Sequence, residues 1–191
     1  VSSRVMAKLL NNSVDKLLTI DPHIHRYKSL KDIFTIPAKY VTSNMLIADY
    51  IKKHFKNEII IGPDWESYQW AEEIAKKIDV QATVLKKERF SYRHVEVKMI
   101  KPIEIKGKNV VIVDDIISTG NTMIKAAKAA TKLGAKSVSA IGVHGLFVEE
   151  GYAKMKKAGF NKIVTTNCIN HKTNGIDVSS LLVEELKKEK K

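Results

Sequence analysis

Asp114 and Asp115, followed closely by Ser118, Thr119, Gly120, Asn121 and Thr122, concentrate more chemistry than any other stretch of the chain. Two neighbouring carboxylates repel unless hydroxyls or a cation lie between them, so the pair suits a sugar diol or a metal-bound polyol. The five residues after them supply hydroxyls, a glycine without Cβ and the free amides of a helix start, which together make a small anion cradle. Immediately upstream, Val110-Val111-Ile112-Val113 is a run of β-branched residues suited to a strand covered on both faces, as in a parallel sheet. The order predicts a strand ending at Val113 that delivers both acids to its C-terminal edge, where open α/β sheets bind ligands. Two acids alone are an ordinary turn feature; the whole string from Val110 to Thr122 is far more specific.

Three further segments set charged groups at the ends of apolar runs. Leu18-Thr19-Ile20 leads into Asp21, Pro22 and His23, an acid and an imidazole able to share a hard cation bound to phosphate, although imidazole is an unusual ligand for magnesium. By itself such a histidine is more often a surface or packing residue. Ile59-Ile60-Ile61-Gly62-Pro63 delivers Asp64 to another strand edge, and the same Pro-Asp pair suits a turn that caps a helix beginning near Trp65. Lys87 and Arg89 precede an expected β-flap around Val95 to Met99. Paired cations there either neutralise charge on a transferring phosphoryl group or decorate a solvated hairpin.

The elements that must position these groups are legible as alternating patterns. Strand-like runs occupy Lys16 to Ile20, Glu58 to Ile61, Gln81 to Leu85, Asn109 to Val113, Ser137 to Val143 and Lys162 to Thr165. Ala71, Ile74, Ala75 and Ile78 repeat at helical spacing, as do Met123, Ala126, Ala130 and Leu133, with Gly134 placed to stop the second helix. Strands alternating with helices predict an α/β fold built on parallel sheets. At 191 residues and 44% hydrophobic, the chain can bury one sizeable core. No apolar run reaches membrane-spanning length and no signal-peptide pattern opens the chain, so the expected setting is cytoplasmic, with no membrane partner. The single Cys168 excludes an internal disulfide and a cysteine-rich zinc module, and is expected to be buried and inert.

The net charge of +12, from 33 Lys and Arg against 21 Asp and Glu, raises a nucleic-acid partner. Between Lys86 and Lys108 there are eight basic residues and three acidic ones, without regular aromatic interleaving or a nucleic-acid module. A basic cleft serves polyphosphate substrates equally well, and no nucleic-acid partner is expected.

The string from Val110 to Thr122 resembles the phosphoribosyl pyrophosphate (PRPP) motif of type I phosphoribosyltransferases and PRPP synthetases. The resemblance implies that Asp114 and Asp115 hold the ribose 2- and 3-hydroxyls while Ser118, Thr119, Gly120, Asn121 and Thr122 wrap the 5-phosphate. Asp21-Pro22-His23 resembles the synthetase Asp-x-His segment, which implies ATP and metal contact for His23. The segment ending in Pro63-Asp64 resembles the synthetase Pro-Asp motif, which implies a second metal contact for Asp64. Many members follow that motif with glycine; Trp65, Glu66 and Ser67 follow it here. Lys87-Glu88-Arg89 matches the Lys-x-Arg of the synthetase catalytic flexible loop, which implies that Lys87 and Arg89 stabilise the transferred group. His144-Gly145-Leu146-Phe147 and Thr165-Thr166-Asn167-Cys168-Ile169 resemble segments that close the synthetase C-terminal domain.

These matches run along the whole chain and are most similar to the archaeal branch of the ribose-phosphate pyrophosphokinases. The implied activity is transfer of pyrophosphate from ATP to ribose 5-phosphate, giving PRPP and AMP, by a homo-oligomer using Mg2+. A type I phosphoribosyltransferase that consumes PRPP and a non-catalytic PRPP-sensing homologue remain as alternatives. The implied layout is a parallel-sheet phosphoribosyltransferase-like domain over 41–178, which binds PRPP or ribose 5-phosphate, preceded by part of a second similar domain over 1–40. A helix and basic tail over 179–191 pack back on that first part. On this layout the adenine-binding segments of the synthetases fall upstream of Val1, so these 191 residues are expected to bind ribose phosphates but to make little or no PRPP from ATP.

Overall fold

The computed structural model describes residues 2–24, 26–56, 58–89, 95–99 and 101–188, the side chains of 85–89 and 95–99 excepted. They form two units: one from the described residues of 1–43 and 179–191, the other from Asn44–Val178.

The smaller unit begins with helix α1 (Ser2–Asn11), which buries Ala7 and leaves Val5, Met6 and Leu9 exposed. Strands β1 (Leu17–Ile20) and β2 (Ala38–Val41) pair in parallel, with Leu17 opposite Ala38 and Ile20 opposite Val41. The crossover between them contains a 3-10 turn, Leu30–Asp32, that buries Leu30. Asp32 Oδ2 accepts the backbone N–H groups of Lys28 and Ser29 at 2.8 and 3.0 Å, which closes the turn. Past β1, Asp21 is buried at a positive φ of 36°, and its Oδ2 accepts the Ser43 N–H at 2.8 Å and the Ser43 hydroxyl at 2.5 Å. That acid therefore fastens the end of β1 to the residues after β2.

The larger unit runs α2 (Asn44–His54), β3 (Glu58–Gly62), α3 (Tyr68–Ile78), β4 (Ala82–Arg89), β5 (Val95–Met99), β6 (Asn109–Ile117), α4 (Asn121–Lys132), β7 (Ser137–Gly145), α5 (Gly151–Lys157), β8 (Ile163–Thr166) and β9 (Asn174–Ile176). Its strands form one seven-stranded sheet in the order β5-β4-β3-β6-β7-β8-β9, parallel throughout except for the β4–β5 hairpin. The apolar runs Ile59 to Ile61 and Val110 to Val113 are fully buried in the middle of this sheet. Burying each such side chain contributes about 1.5–3 kcal/mol, so the strands that carry the acids are also those the core holds hardest. Helix α4 lays Met123, Ala126, Ala127 and Ala130 on the same core, with Met155 from α5 beside them. It stops where expected: Gly134 takes φ +85°, its N–H donates to Thr131 O at 3.0 Å, and the Ala135 N–H reaches Ala130 O at 3.1 Å.

Two features differ from the sequence reading. β6 continues to Ile117 instead of ending at Val113, because β7 keeps pairing with it as far as Ile117 opposite Gly145. Strands β2 and β9 are short and lack alternation; each exists through its ladder with a neighbour. The C-terminal helix α6 (Ser179–Lys188) belongs to the smaller unit, where Glu185 Oε1 lies 3.2 Å from Lys39 Nζ on β2. Among the described residues no helix is long and apolar enough to cross a membrane.

Candidate functional site

Parallel pairing sets Ile61, near the end of β3, opposite Ile112 of β6. Asp64 lies just past the end of β3, and Asp114 and Asp115 lie on β6 beyond the stretch that β3 covers, before the strand ends at Ile117. Asp114 is partly buried, and its carboxyl is pushed up to about 8, chiefly by burial and then by the charges of Asp115 and Asp64. The Asp115 N–H donates to Asp114 Oδ1 at 3.2 Å, which favours ionisation but is outweighed by burial and the neighbouring charges. The acids of two different strands are thus close enough to feel one another. Asp64 is exposed; its Oδ1 accepts the backbone N–H of Ser67 and the Ser67 hydroxyl, both at 3.1 Å. The Pro-Asp segment ties down the turn before α3 and still presents a carboxylate at the edge.

Among the described residues no group of three or more His, Cys, Asp or Glu is arranged to hold a metal ion by itself. The acids gathered at this edge, Asp64, Asp114 and Asp115, nonetheless offer only oxygen donors. That fits a hard cation of the magnesium type, which keeps several waters and shares one or two carboxylates with substrate phosphates.

Beyond β6 the chain turns through Ser118, Thr119 and Gly120 into α4. Gly120 is the N-cap at φ +74°, a left-handed conformation in which a side chain is strained, and a Cβ there would stand 2.8 Å from Met155 Cγ. Thr119 Oγ1 lies 3.4 Å from the Asn121 N–H. Ser118, Asn121 and Thr122 are exposed, and the amides of the first turn of α4 have no partner within the helix. A hydroxyl-lined helix start of this kind receives an anion. The two aspartates, expected beside the five loop residues from the sequence, lie on the last part of β6, and the loop residues follow its end at Ile117.

The other expected groups are placed as follows. Gly62 pairs with Val84, so β4 runs beside the strand that ends in Asp64. Lys87 stands opposite Val97 and Arg89 opposite Val95 in the hairpin; the side chains of both fall outside the described parts. His23 lies in the smaller unit, exposed, three residues past the end of β1.

Sequence reasoning missed the backing of the anion loop. Gly151, the first residue of α5, is so close to the loop that a Cβ on it would meet Ser118 O at 2.6 Å and the Thr119 carbonyl carbon at 3.0 Å. Nothing local in the sequence marks that glycine, because its neighbour is a loop more than thirty residues upstream. The segment before it is strained: Phe147, Glu149 and Glu150 hold φ values of 48°, 50° and 60°, each a cost of about 1–3 kcal/mol for a residue other than glycine. It is fastened by two bonds, from the N–H groups of Leu146 and Phe147 to Ile117 O at 3.0 and 3.1 Å. Past β8, the Asn174 side-chain amide donates to Thr165 Oγ1, Thr166 O and Ile169 O at 3.0, 2.5 and 3.0 Å and braces the turn that carries Cys168. Cys168 is half-buried there, more open than the sequence suggested, because it sits in a turn and not on a strand.

The sequence model of the phosphoribosyl transferase domain matches residues 29–181. The chain belongs to the phosphoribosyl transferase domain family. Within that family its similarity is to ribose-phosphate pyrophosphokinases of archaea. One from Pyrococcus abyssi is 35% identical over 189 residues, covering 99% of this chain and 65% of the relative. One from Methanothermobacter thermautotrophicus is 30% identical, covering 98% and 64%. The chain therefore spans just under two-thirds of the length of these curated relatives. Among solved structures, phosphoribosylpyrophosphate synthetase from Mycobacterium smegmatis superposes with a TM-score of 0.82 at 22% identity, covering 98% of this chain and 63% of that one. Adenine phosphoribosyltransferase from Thermoanaerobacter pseudethanolicus superposes with a TM-score of 0.53 at 23% identity, covering 65% of this chain and 76% of that one. Both are likenesses of fold, and they establish the parallel-sheet α/β architecture of this phosphoribosyl transferase domain chain.

Proposed function

We propose that this chain serves PRPP synthesis, binding ribose 5-phosphate at Asp114, Asp115 and Ser118 to Thr122 for transfer of pyrophosphate from magnesium-bound ATP, with PRPP and AMP as products. The observation that carries the reading is that two acids near the end of β6 and the hydroxyl-rich start of α4 follow one another along the chain, beside a third acid just past the end of the adjacent β3. The names of the archaeal relatives support it over a phosphoribosyltransferase or a PRPP sensor.

In this reading the ribose hydroxyls donate to Asp114 and Asp115, and the 5-phosphate takes the loop hydroxyls and the first amides of α4. Fixing the sugar at both positions holds the anomeric hydroxyl in one orientation, which lowers the entropic part of the barrier. Asp64 and His23 are the proposed metal contacts, and His23 also meets ATP; for His23 this rests on its motif alone. Magnesium, when bound, neutralises charge on the ATP phosphates. Lys87 and Arg89 stabilise the charge that develops on the group in transfer. A homo-oligomer in the cytoplasm belongs to the same reading.

AMP release from magnesium-ATP, followed with and without ribose 5-phosphate, tests the reaction. AMP formation that depends on ribose 5-phosphate and disappears in Asp114→Ala supports it. Nucleotide formation from PRPP and a free base, with no need for ATP, would assign the chain to the phosphoribosyltransferases instead.

A further inference from the structure

The strained segment that backs the anion loop is gripped at both ends by one imidazole. His171, in the turn between β8 and β9, lies tilted against Phe147 with ring centroids 4.5 Å apart, and meets the Tyr152 ring edge-on at 5.3 Å. Phe147 and Tyr152 meet edge-on at 5.7 Å, so the three rings close a triangle. Phe147 opens the run of positive φ, and Tyr152 follows Gly151 at its close. Each end also touches the loop. The Phe147 N–H donates to Ile117 O, one residue before Ser118, and Gly151 abuts Ser118 O and the Thr119 carbonyl. The imidazole is itself fixed. The Thr173 N–H donates to its Nδ1 at 3.3 Å, so that nitrogen accepts and the ring proton belongs on Nε2. The Thr173 hydroxyl lies 2.8 Å from the same nitrogen and 2.7 Å from the hydroxyl of the fully buried Thr165.

We propose that His171 is a positioning residue for ribose 5-phosphate: through Phe147 and Tyr152 it holds the loop from Ser118 to Thr122 in its anion-receiving shape without touching the substrate. The inference rests on the proposed function, which places the 5-phosphate in that loop. Three residues other than glycine at positive φ persist only where their surroundings hold them. The bonds to Ile117 O fasten the entry of the segment. Its exit is held through the Tyr152 ring, which meets His171 on one side and has the Lys172 ammonium 4.3 Å from its centroid. Histidine suits the position because its flat ring engages two aromatic neighbours while a ring nitrogen ties it to Thr173. A loop already fixed in its bound shape loses less freedom when phosphate arrives, so the brace acts on affinity.

Calorimetric titration with ribose 5-phosphate, run beside urea melts, tests the role. His171→Ala is expected to weaken binding by about tenfold. His171→Phe restores both ring contacts and is expected to recover most of that loss; His171→Asn restores an acceptor near Nδ1 without a ring and is expected to recover little. Amide hydrogen exchange over 119–122 is expected to quicken in His171→Ala and to return toward the parent rate in His171→Phe. Ile51 is fully buried on α2, outside the core cluster that contains Met123 and Met155. Ile51→Val is therefore expected to lower the urea midpoint and leave ribose 5-phosphate affinity unchanged, which separates loss of stability from loss of positioning. Affinity or loop exchange that ignores His171→Ala, recovery by asparagine equal to that by phenylalanine, or an equal loss of affinity in Ile51→Val overturns the positioning role and leaves the proposed function standing. A parent chain that binds no ribose 5-phosphate overturns both.

Discussion

Asp114 retains its proton up to about 8 because burial and the charges of Asp115 and Asp64 disfavour its ionised form, whereas an unperturbed aspartate titrates near 3.8. Between those values the folded chain binds more protons than the unfolded one, so stability falls as pH rises. This contribution is whole below about 3.8 and lost as pH climbs through about 8. Asp114→Asn is therefore expected to be more stable than the parent at pH 9, by about 1–3 kcal/mol in urea melts, with the gap closing toward pH 4. A gap that does not change with pH would show that the carboxyl is not strained by its surroundings. The same substitution should cost ribose 5-phosphate affinity, a trade between stability and binding that marks functional acids. The two aspartates and the loop after them were readable from residue type and order alone. Their coupling to Asp64 was not, since it depends on which strand lies next to β6. Gly151 was equally hidden. Gly151→Ala should drive a methyl into the Ser118 carbonyl, weakening ribose 5-phosphate binding about tenfold or more and lowering stability by about 1–3 kcal/mol.

At the scale of elements, the long buried strands and amphipathic helices announce themselves because their patterns are local. The run from Ile59 to Ile61, the repeat at Met123, Ala126 and Ala130, and the Gly134 stop all behave as their spacing requires. Elements defined by a distant partner do not announce themselves. β2 has four residues, two of them exposed, and β9 has three; both are strands only because β1 and β8 offer a parallel ladder. The acids are legible where the strand end is not, since β7 extends the ladder of β6 to Ile117. The β4–β5 hairpin carries a separate prediction. Lys87→Ala should lower ribose-dependent AMP release by about a hundred- to a thousandfold while leaving ATP and ribose 5-phosphate affinities within a few-fold, as for a group that acts on the transition state. Unchanged turnover would reduce Lys87 to a charge on a solvated strand.

At the scale of the molecule, the chain builds a seven-stranded unit around the candidate site and a smaller unit joined by its C-terminal helix. The smaller unit leaves apolar side chains in water: Val5, Met6 and Leu9 on α1 are 57%, 56% and 58% exposed. Patches of this kind mark association. Sedimentation of the purified chain is expected to show concentration-dependent self-association, reduced by Leu9→Lys. In the larger unit, the strand that carries Asp114 and Asp115 and the helix that starts after Gly120 form the proposed ribose 5-phosphate site. Calorimetric titration with ribose 5-phosphate, comparing the parent chain with Thr119→Glu, tests it most directly, because a bulky anion in the loop excludes phosphate by both size and charge. Saturable one-site binding is expected in the parent and none in the variant; undiminished affinity in Thr119→Glu would remove the site from this loop.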